Sequence, residues 1–92
     1  MALGIYFGDS AGFTLEIYDE AVRRLEAAGA GAPAGRIYHA AVENGDLINV
    51  FDVWDSMESF EAFGETLVPI MGELGAAPAE PMVLPVRNVI EG

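Results

Sequence analysis

Alternation of apolar and polar side chains indicates the β-strands of this chain. The pattern is clearest in residues 3–8, 36–42 and 47–54. Residues 82–90 form a fourth apolar segment, but its Pro85 cannot donate a hydrogen bond to a neighbouring strand. We therefore predict three regular strands and a fourth that lies at a sheet edge or contains a bulge.

Two further segments have the apolar period of amphipathic helices. Thr14 is the predicted N-cap of the first helix, and Gly29 is placed to end it in the left-handed conformation. The apolar stripe of this helix consists of Tyr18, Ala21, Val22, Leu25 and Ala28.

Asp55 and Ser56 are the alternative N-caps predicted for the second helix, and Asp55 and Glu58 have the spacing of a capping box. Pro69 predicts a kink, or a break followed by a short helix that ends at Gly75. The apolar stripe consists of Phe60, Phe63, Leu67, Ile70, Met71 and Leu74.

The second and third strands are predicted to form a hairpin around Asn44-Gly45, a pair typical of a type I′ turn. In that register His39 lies opposite Val50. A three-residue loop would instead place His39 opposite Phe51.

The period of two then divides the hairpin into two faces. One face carries Ile37, His39, Ala41, Ile48, Val50, Asp52 and Trp54. The other carries Tyr38, Ala40, Val42, Leu47, Asn49, Phe51 and Val53, and we predict that this more uniformly apolar face receives the helices.

The element order β-α-β-β-α-β predicts an α+β, ferredoxin-like fold for one domain over residues 1–92. In this fold a four-stranded antiparallel sheet carries both helices on one face. Hydrophobic residues make up 52% of the sequence, which is a large share for so small a domain. We therefore predict a homodimer in which a second copy covers the other face of the sheet.

Composition excludes several classes of function. The net charge of −11 disfavours nucleic acids and anionic membranes as partners. The sequence lacks cysteine and lysine, so thiolate and Schiff-base chemistry are excluded. Without an N-terminal signal or a membrane-length apolar run, the protein is expected to be cytoplasmic. One histidine among scattered acids predicts no metal site, and no cofactor-binding motif is present.

One hairpin face brings together the side chains that are most suited to chemistry. His39 and Asp52 are predicted diagonal neighbours, so the carboxylate could orient the imidazole for proton transfer. Trp54 could provide a flat wall for a cyclic ligand. In the alternative interpretation, His39 and Asp52 form a structural pair in the dimer interface and Trp54 fills space.

Two further sets of residues are weaker candidates. Tyr6 could join the same cavity if the first strand's glycine-bearing face points that way, although Gly4 and Gly8 also suit close packing. Arg36 and Arg87 could bind a carboxylate, whereas pairing with surface acids is the simpler interpretation.

The sequence from Val50 to Phe63 resembles the strand-to-helix passage of the dimeric α/β-barrel superfamily, which includes antibiotic-biosynthesis-monooxygenase-like proteins. The matching pattern is Val50-x-Asp52-x-Trp54-x-Ser56-x-Glu58-x-Phe60-x-x-Phe63, preceded by Tyr38-His39. The resemblance implies a homodimer whose two sheets enclose a cleft. Members include cofactor-free monooxygenases, isomerase-like proteins and haem-degrading enzymes.

Two departures from the resemblance bear on activity. Haem-degrading members place a histidine on a helix, whereas His39 lies in a predicted strand. The monooxygenase-like pattern pairs the strand tryptophan with an asparagine, but Asn49 falls on the opposite face and Asn88 is distant.

The sequence thus predicts a homodimeric protein that binds a small hydrophobic or aromatic molecule between sheet and helices or between subunits. His39 and Asp52 are the predicted catalytic residues, and Trp54 and Tyr6 the predicted ligand contacts. One alternative is a cofactor-independent monooxygenase or isomerase acting on a cyclic substrate. The other is a non-catalytic oligomerisation module.

Overall fold

The computed structural model describes residues 2–77 and 80–92 and has the predicted α+β element order. Its elements are β1 (Leu3–Phe7), α1 (Leu15–Ala27), β2 (Arg36–Asn44), β3 (Leu47–Trp54), α2 (Met57–Glu73) and β4 (Met82–Pro85). The strands form one antiparallel sheet in the order β2-β3-β1-β4. The ferredoxin-like prediction is confirmed.

Capping residues set the ends of both helices. The Thr14 hydroxyl accepts a hydrogen bond from the Ile17 amide at 3.3 Å, which confirms the predicted N-cap of α1. Gly29 follows this helix with a φ of 78°. For α2, Ser56 rather than Asp55 is the N-cap, and its hydroxyl accepts from the Ser59 amide at 3.2 Å.

Helix α2 continues through Pro69 as far as Glu73, so the predicted alternative of a break at Pro69 is wrong. Apolar contacts on both sides of the proline explain the continuity, because tertiary packing supplies most helical stability in proteins. Leu67, Ile70 and Met71 all pack into the core around it.

The hairpin turn lies one residue later than predicted, at Gly45-Asp46, with Asn44 paired to Leu47. Gly45 has a φ of 62°, and no non-glycine residue in the described chain has a positive φ. A single positive φ at the first central position is the pattern of a type II′ turn. The predicted register is therefore wrong by two residues, and His39 lies opposite Asp52 instead of Val50. A shift of two keeps the side chains from Tyr38 to Trp54 on their predicted faces.

The fourth strand is shorter than the predicted segment and ends at Pro85. It pairs with β1 alone, which confirms the edge position that the proline indicated. One further hydrogen bond, from the Val86 amide to the Ala2 carbonyl at 2.9 Å, follows the strand end.

The helices pack on the hairpin face that carries His39, Asp52 and Trp54, so the prediction that they cover the opposite face is wrong. Trp54 and Ile5 are completely buried there and form a core cluster with Leu25 of α1 and Phe63 of α2. The indole explains the choice of face, because it offers more apolar area to the helices than any side chain opposite it.

The other face of the sheet, here called the open face, carries large apolar side chains that remain exposed. Tyr38, Val42, Phe51, Met82 and Leu84 are each at least 42% exposed. The strand pairings place Gly4, Tyr6, Ala40, Asn49 and Val53 on the same face. None of these ten residues carries a charge. In the described part of the chain, no helix has the length and apolar character needed to cross a membrane.

Candidate functional site

A cavity of about 170 Å³ lies between the sheet and the two helices. Most of its wall is apolar and includes Phe13, Val22, Val50, Phe60, Phe63 and Leu67. Its polar lining includes Tyr18 from α1, Arg36 and His39 from β2, and Asp52 from β3. An apolar enclosure with a few convergent polar groups is the usual form of a small-molecule site.

His39 and Asp52 form the closest polar pair in this cavity. His39 Nδ1 lies 2.5 Å from Asp52 Oδ1, because the two residues are directly opposite each other on adjacent strands. The Asp52 side chain is only 6% exposed, whereas that of His39 is 27% exposed. A carboxylate can only accept here, so His39 donates from Nδ1. Neutral His39 therefore presents Nε2 as a proton acceptor.

Tyr18 completes the polar group from the helix side. Its hydroxyl lies 2.8 Å from His39 Nε2, and the two rings are nearly parallel, with an interplanar angle of 5°. The sequence placed Tyr18 in the apolar stripe of α1 but not among the candidate site residues. The sequence could have indicated this contact, because a tyrosine in a buried helix stripe normally needs a hydrogen-bond partner for its hydroxyl, and His39 is on the facing strand.

Burial raises the pKa of Tyr18, and the nearby carboxylates of Asp52 and Asp19 act in the same direction. The positive charge of Arg36 opposes them and lowers the pKa. The net effect is a raised pKa, so the phenol is neutral at physiological pH and its hydroxyl can donate to His39 Nε2.

Removal of the Tyr18 hydroxyl is expected to change stability at alkaline pH. The folded pKa of Tyr18 lies above the unfolded value, so its stabilising contribution is complete below about pH 10 and is lost as pH rises through the folded pKa. Urea unfolding between about pH 8 and about pH 11 should therefore show a shallower loss of stability in Tyr18→Phe than in the wild type.

The matched control for this measurement is Tyr38→Phe, which removes an exposed phenol outside the cavity. It is expected to follow the wild-type curve. Parallel curves for Tyr18→Phe and the wild type would show that burial of the Tyr18 phenol is not linked to folding.

Trp54 lies next to this group but does not line the cavity. The indole is completely buried, and its Nε1 donates to Asp52 Oδ2 at 3.3 Å. Its ring centroid lies 5.7 Å from that of Phe60 and 5.3 Å from that of Phe63. Phe60 and Phe63, which contact the indole, line the cavity in the single chain, whereas Trp54 does not. Trp54 instead orients Asp52.

Tyr6 does not share the cavity, and its predicted location is wrong. It pairs with Phe51 in the sheet and therefore lies on the open face. Its hydroxyl donates to Asn49 Oδ1 at 3.1 Å, and Asn49 Nδ2 donates to Asp9 Oδ1 at 2.9 Å. These contacts connect the ends of β1 and β3 on the side opposite His39.

Arg36 reaches the cavity because of an irregularity in β2. Arg36 pairs with Trp54 and Tyr38 with Val53, so the register shifts between them and Ile37 is the extra residue of a β-bulge. Without the bulge, Arg36 and His39 would point to opposite faces, since they are three residues apart. Arg87, for which pairing with surface acids was the simpler interpretation, is exposed and lies outside this cavity. Among the described residues, no cluster of three acidic or histidine side chains could hold a metal ion.

Comparison with solved structures identifies proteins of the same fold. SnoaB from Streptomyces nogalater, a cofactor-independent oxygenase, has a TM-score of 0.57 and 15% identity over 99% of this chain and 95% of its own. A proposed antibiotic biosynthesis monooxygenase from Deinococcus radiodurans has a TM-score of 0.61 and 11% identity over 99% and 97% of the two chains. Another, from Chloroflexus aurantiacus, has a TM-score of 0.60 and 20% identity over both full chains.

The chain therefore has the ferredoxin-like fold of the antibiotic biosynthesis monooxygenase-like proteins. No protein-family model and no curated protein sequence matches it.

Proposed function

We propose that this protein binds a small cyclic molecule in the cavity between its sheet and its helices. The observation that carries the proposal is the convergence of Tyr18, His39 and Asp52 on a largely apolar space of about 170 Å³. Dry cavities of about 150 Å³ in other proteins accept a benzene ring. The ligand is therefore a compound with a single ring at the cavity and a polar group within reach of His39.

The chemistry that fits this site is cofactor-independent proton transfer. When the ligand enters, the Tyr18 hydroxyl turns away from His39 Nε2, which is then free to accept a proton from an acidic C–H or O–H group of the ligand. Asp52 stabilises the imidazolium through Nδ1–H. The Tyr18 hydroxyl then donates a hydrogen bond to the ligand anion. Return of the proton to a different carbon gives an isomerisation without any other reactant.

Oxygenation is a second candidate, favoured by the fold shared with SnoaB, a cofactor-independent oxygenase. The carbanion produced by His39 would react with dioxygen at the same carbon. The ring CH₂ would become a carbonyl group, and the second oxygen atom would leave as water. Oxygen consumption that requires both ligand and His39 would support this reaction over isomerisation.

A second copy of the chain is the proposed partner of the open face. The ten strand residues of this face carry no charge although the chain has a net charge of −11, and the carboxylate of Asp9 at the edge of the face accepts hydrogen bonds from Asn44 and Asn49. Two open faces can therefore approach each other through these uncharged strand residues. Burial of Tyr38, Phe51 and Leu84 against a second copy would remove exposed apolar area that a monomer leaves in water.

Ligand binding can be tested with phenol, a single ring with one hydroxyl group for His39. Trp54 is the only tryptophan of the chain and contacts Phe60 and Phe63 of the cavity wall, so its fluorescence should report occupancy. Isothermal titration calorimetry gives the affinity. Val22→Phe adds a ring to the cavity wall and should weaken phenol binding by about tenfold or more, since it occupies the space that the ligand needs.

Val68→Phe is the matched control, because Val68 lies on α2, is 60% exposed and does not line the cavity. It should bind phenol like the wild type. If phenol does not bind, or if both variants bind it equally, the cavity is not a ligand site. Greater stability of Val22→Phe together with absent binding would favour the non-catalytic oligomerisation module.

A further inference from the structure

Arg36 is a cation that faces the cavity without an acidic partner. In the part of the chain that the structure describes, the arginine ion pairs are formed by Arg23 and Arg24 with acids of the two helices. Arg36 instead donates one hydrogen bond, from its Nη2 to the Gly31 carbonyl at 3.0 Å. Fifteen acidic residues are present in the sequence, yet none of those described lies within ion-pair distance of this guanidinium.

The contacts of Arg36 fix its position but leave most of its donors unused. Its guanidinium carbon lies 5.9 Å from the centre of the Phe63 ring, and Phe63 lines the same cavity. A guanidinium has five N–H donors, and the bond to Gly31 uses one. The remaining donors form a planar fork that matches a carboxylate.

The bulge in β2 gives this arrangement a structural cause. Ile37 is the extra residue that places Arg36 and His39 on one face of the sheet, so both line the cavity from the same strand. Bulges that redirect a side chain in this way occur preferentially beside functional sites. The charge of Arg36 is also felt within the cavity, because it lowers the pKa of Tyr18. Burial of Tyr18 has the larger effect and raises that pKa.

We propose that Arg36 binds a carboxylate group of the ligand, so that the site selects cyclic or aromatic carboxylates over neutral compounds of the same shape. The carboxylate lies against the guanidinium, and the ring occupies the apolar space between Phe63 and Val50. The reacting part of the ring then faces His39. This inference rests on the proposed function, because it names the class of ligand for the same cavity.

Benzoate and benzamide provide a matched pair of probes, since they have the same ring and differ in the charge of one substituent. Calorimetry on the wild type should show tighter binding of benzoate. Arg36→Gln should weaken benzoate binding by about 10- to 100-fold, the usual effect of losing a hydrogen bond to a charged group. It should leave benzamide binding within about twofold, because the amide does not need the charge.

Arg87→Gln is the control variant, because Arg87 is exposed and outside the cavity, and it should not change either affinity. Arg36→Lys is the second variant if Arg36→Gln does not fold. It keeps the charge but loses the fork, and the preference for benzoate should fall.

Two outcomes would overturn the proposed selection while leaving ligand binding intact. The first is equal affinity of the wild type for benzoate and benzamide. The second is an equal loss of affinity for both probes in Arg36→Gln, which would show that Arg36 only holds the Gly31 loop. Failure of the wild type to bind either probe would overturn the proposed function together with this inference.

Discussion

Replacement of Phe51 by glutamate is expected to convert the proposed homodimer into a monomer. Phe51 lies on β3, an inner strand of the sheet, and is 42% exposed on the open face. In a symmetric dimer both copies would place the new carboxylate among the apolar side chains of the same interface. A buried charge without a partner costs several kcal/mol, so the dimer dissociation constant should rise by about 100-fold or more.

Analytical ultracentrifugation over a range of protein concentrations measures this change directly. Val68→Glu introduces the same charge on the exposed surface of α2 and should remain dimeric. Circular dichroism shows whether Phe51→Glu keeps its secondary structure. The proposed interface is wrong if Phe51→Glu dimerises like the wild type, or if the wild type is itself monomeric.

The sequence predicted the order and type of the elements because the period of the apolar residues shows whether a segment buries one face as a strand or as a helix. Strand β3 has the predicted bounds, and Thr14 caps α1 as predicted. Such features depend on local backbone chemistry and on apolar period, both of which can be read within a short window.

The choice of sheet face could not be read from the same pattern. Counting apolar residues favoured the face of Tyr38 and Phe51, yet both side chains are exposed in the single chain. Apolar character indicates that a face will be covered, but not whether a helix or another molecule covers it. The completely buried Trp54 is on the other face and determines where the helices pack.

The candidate site was predicted in part. His39 and Asp52 were correctly placed on one face, because a register error of two preserves the face. Arg36 was not predicted to join them, since strict alternation does not reveal a bulge. Tyr18 comes from another element, so its contact with His39 depends on the packing of α1 and not on strand period.

The largest effect on the proposed proton transfer is expected from His39→Gln. Glutamine keeps a polar side chain opposite Asp52 but cannot accept and release a proton near neutral pH. Loss of a general base normally lowers the rate by about 10²- to 10⁴-fold. With a cyclic ketone such as cyclohexanone as a carbon-acid probe, kcat for hydrogen exchange in heavy water should fall by this factor. KM should change little, because the apolar wall that holds the ring is unaltered.

Comparison with Asp52→Asn separates proton transfer from a purely structural role of the pair. Asparagine can hydrogen-bond His39 but carries no charge to stabilise the imidazolium, so exchange should slow while the fold is retained. Nuclear magnetic resonance follows loss of the α-protons, and the uncatalysed rate in buffer is subtracted. Exchange by His39→Gln at the wild-type rate would contradict the role of His39 as the base. If activity falls only in proportion to the amount of folded protein, His39 and Asp52 have a structural role. A catalytic role requires that the folded variants bind the ring but do not exchange its protons.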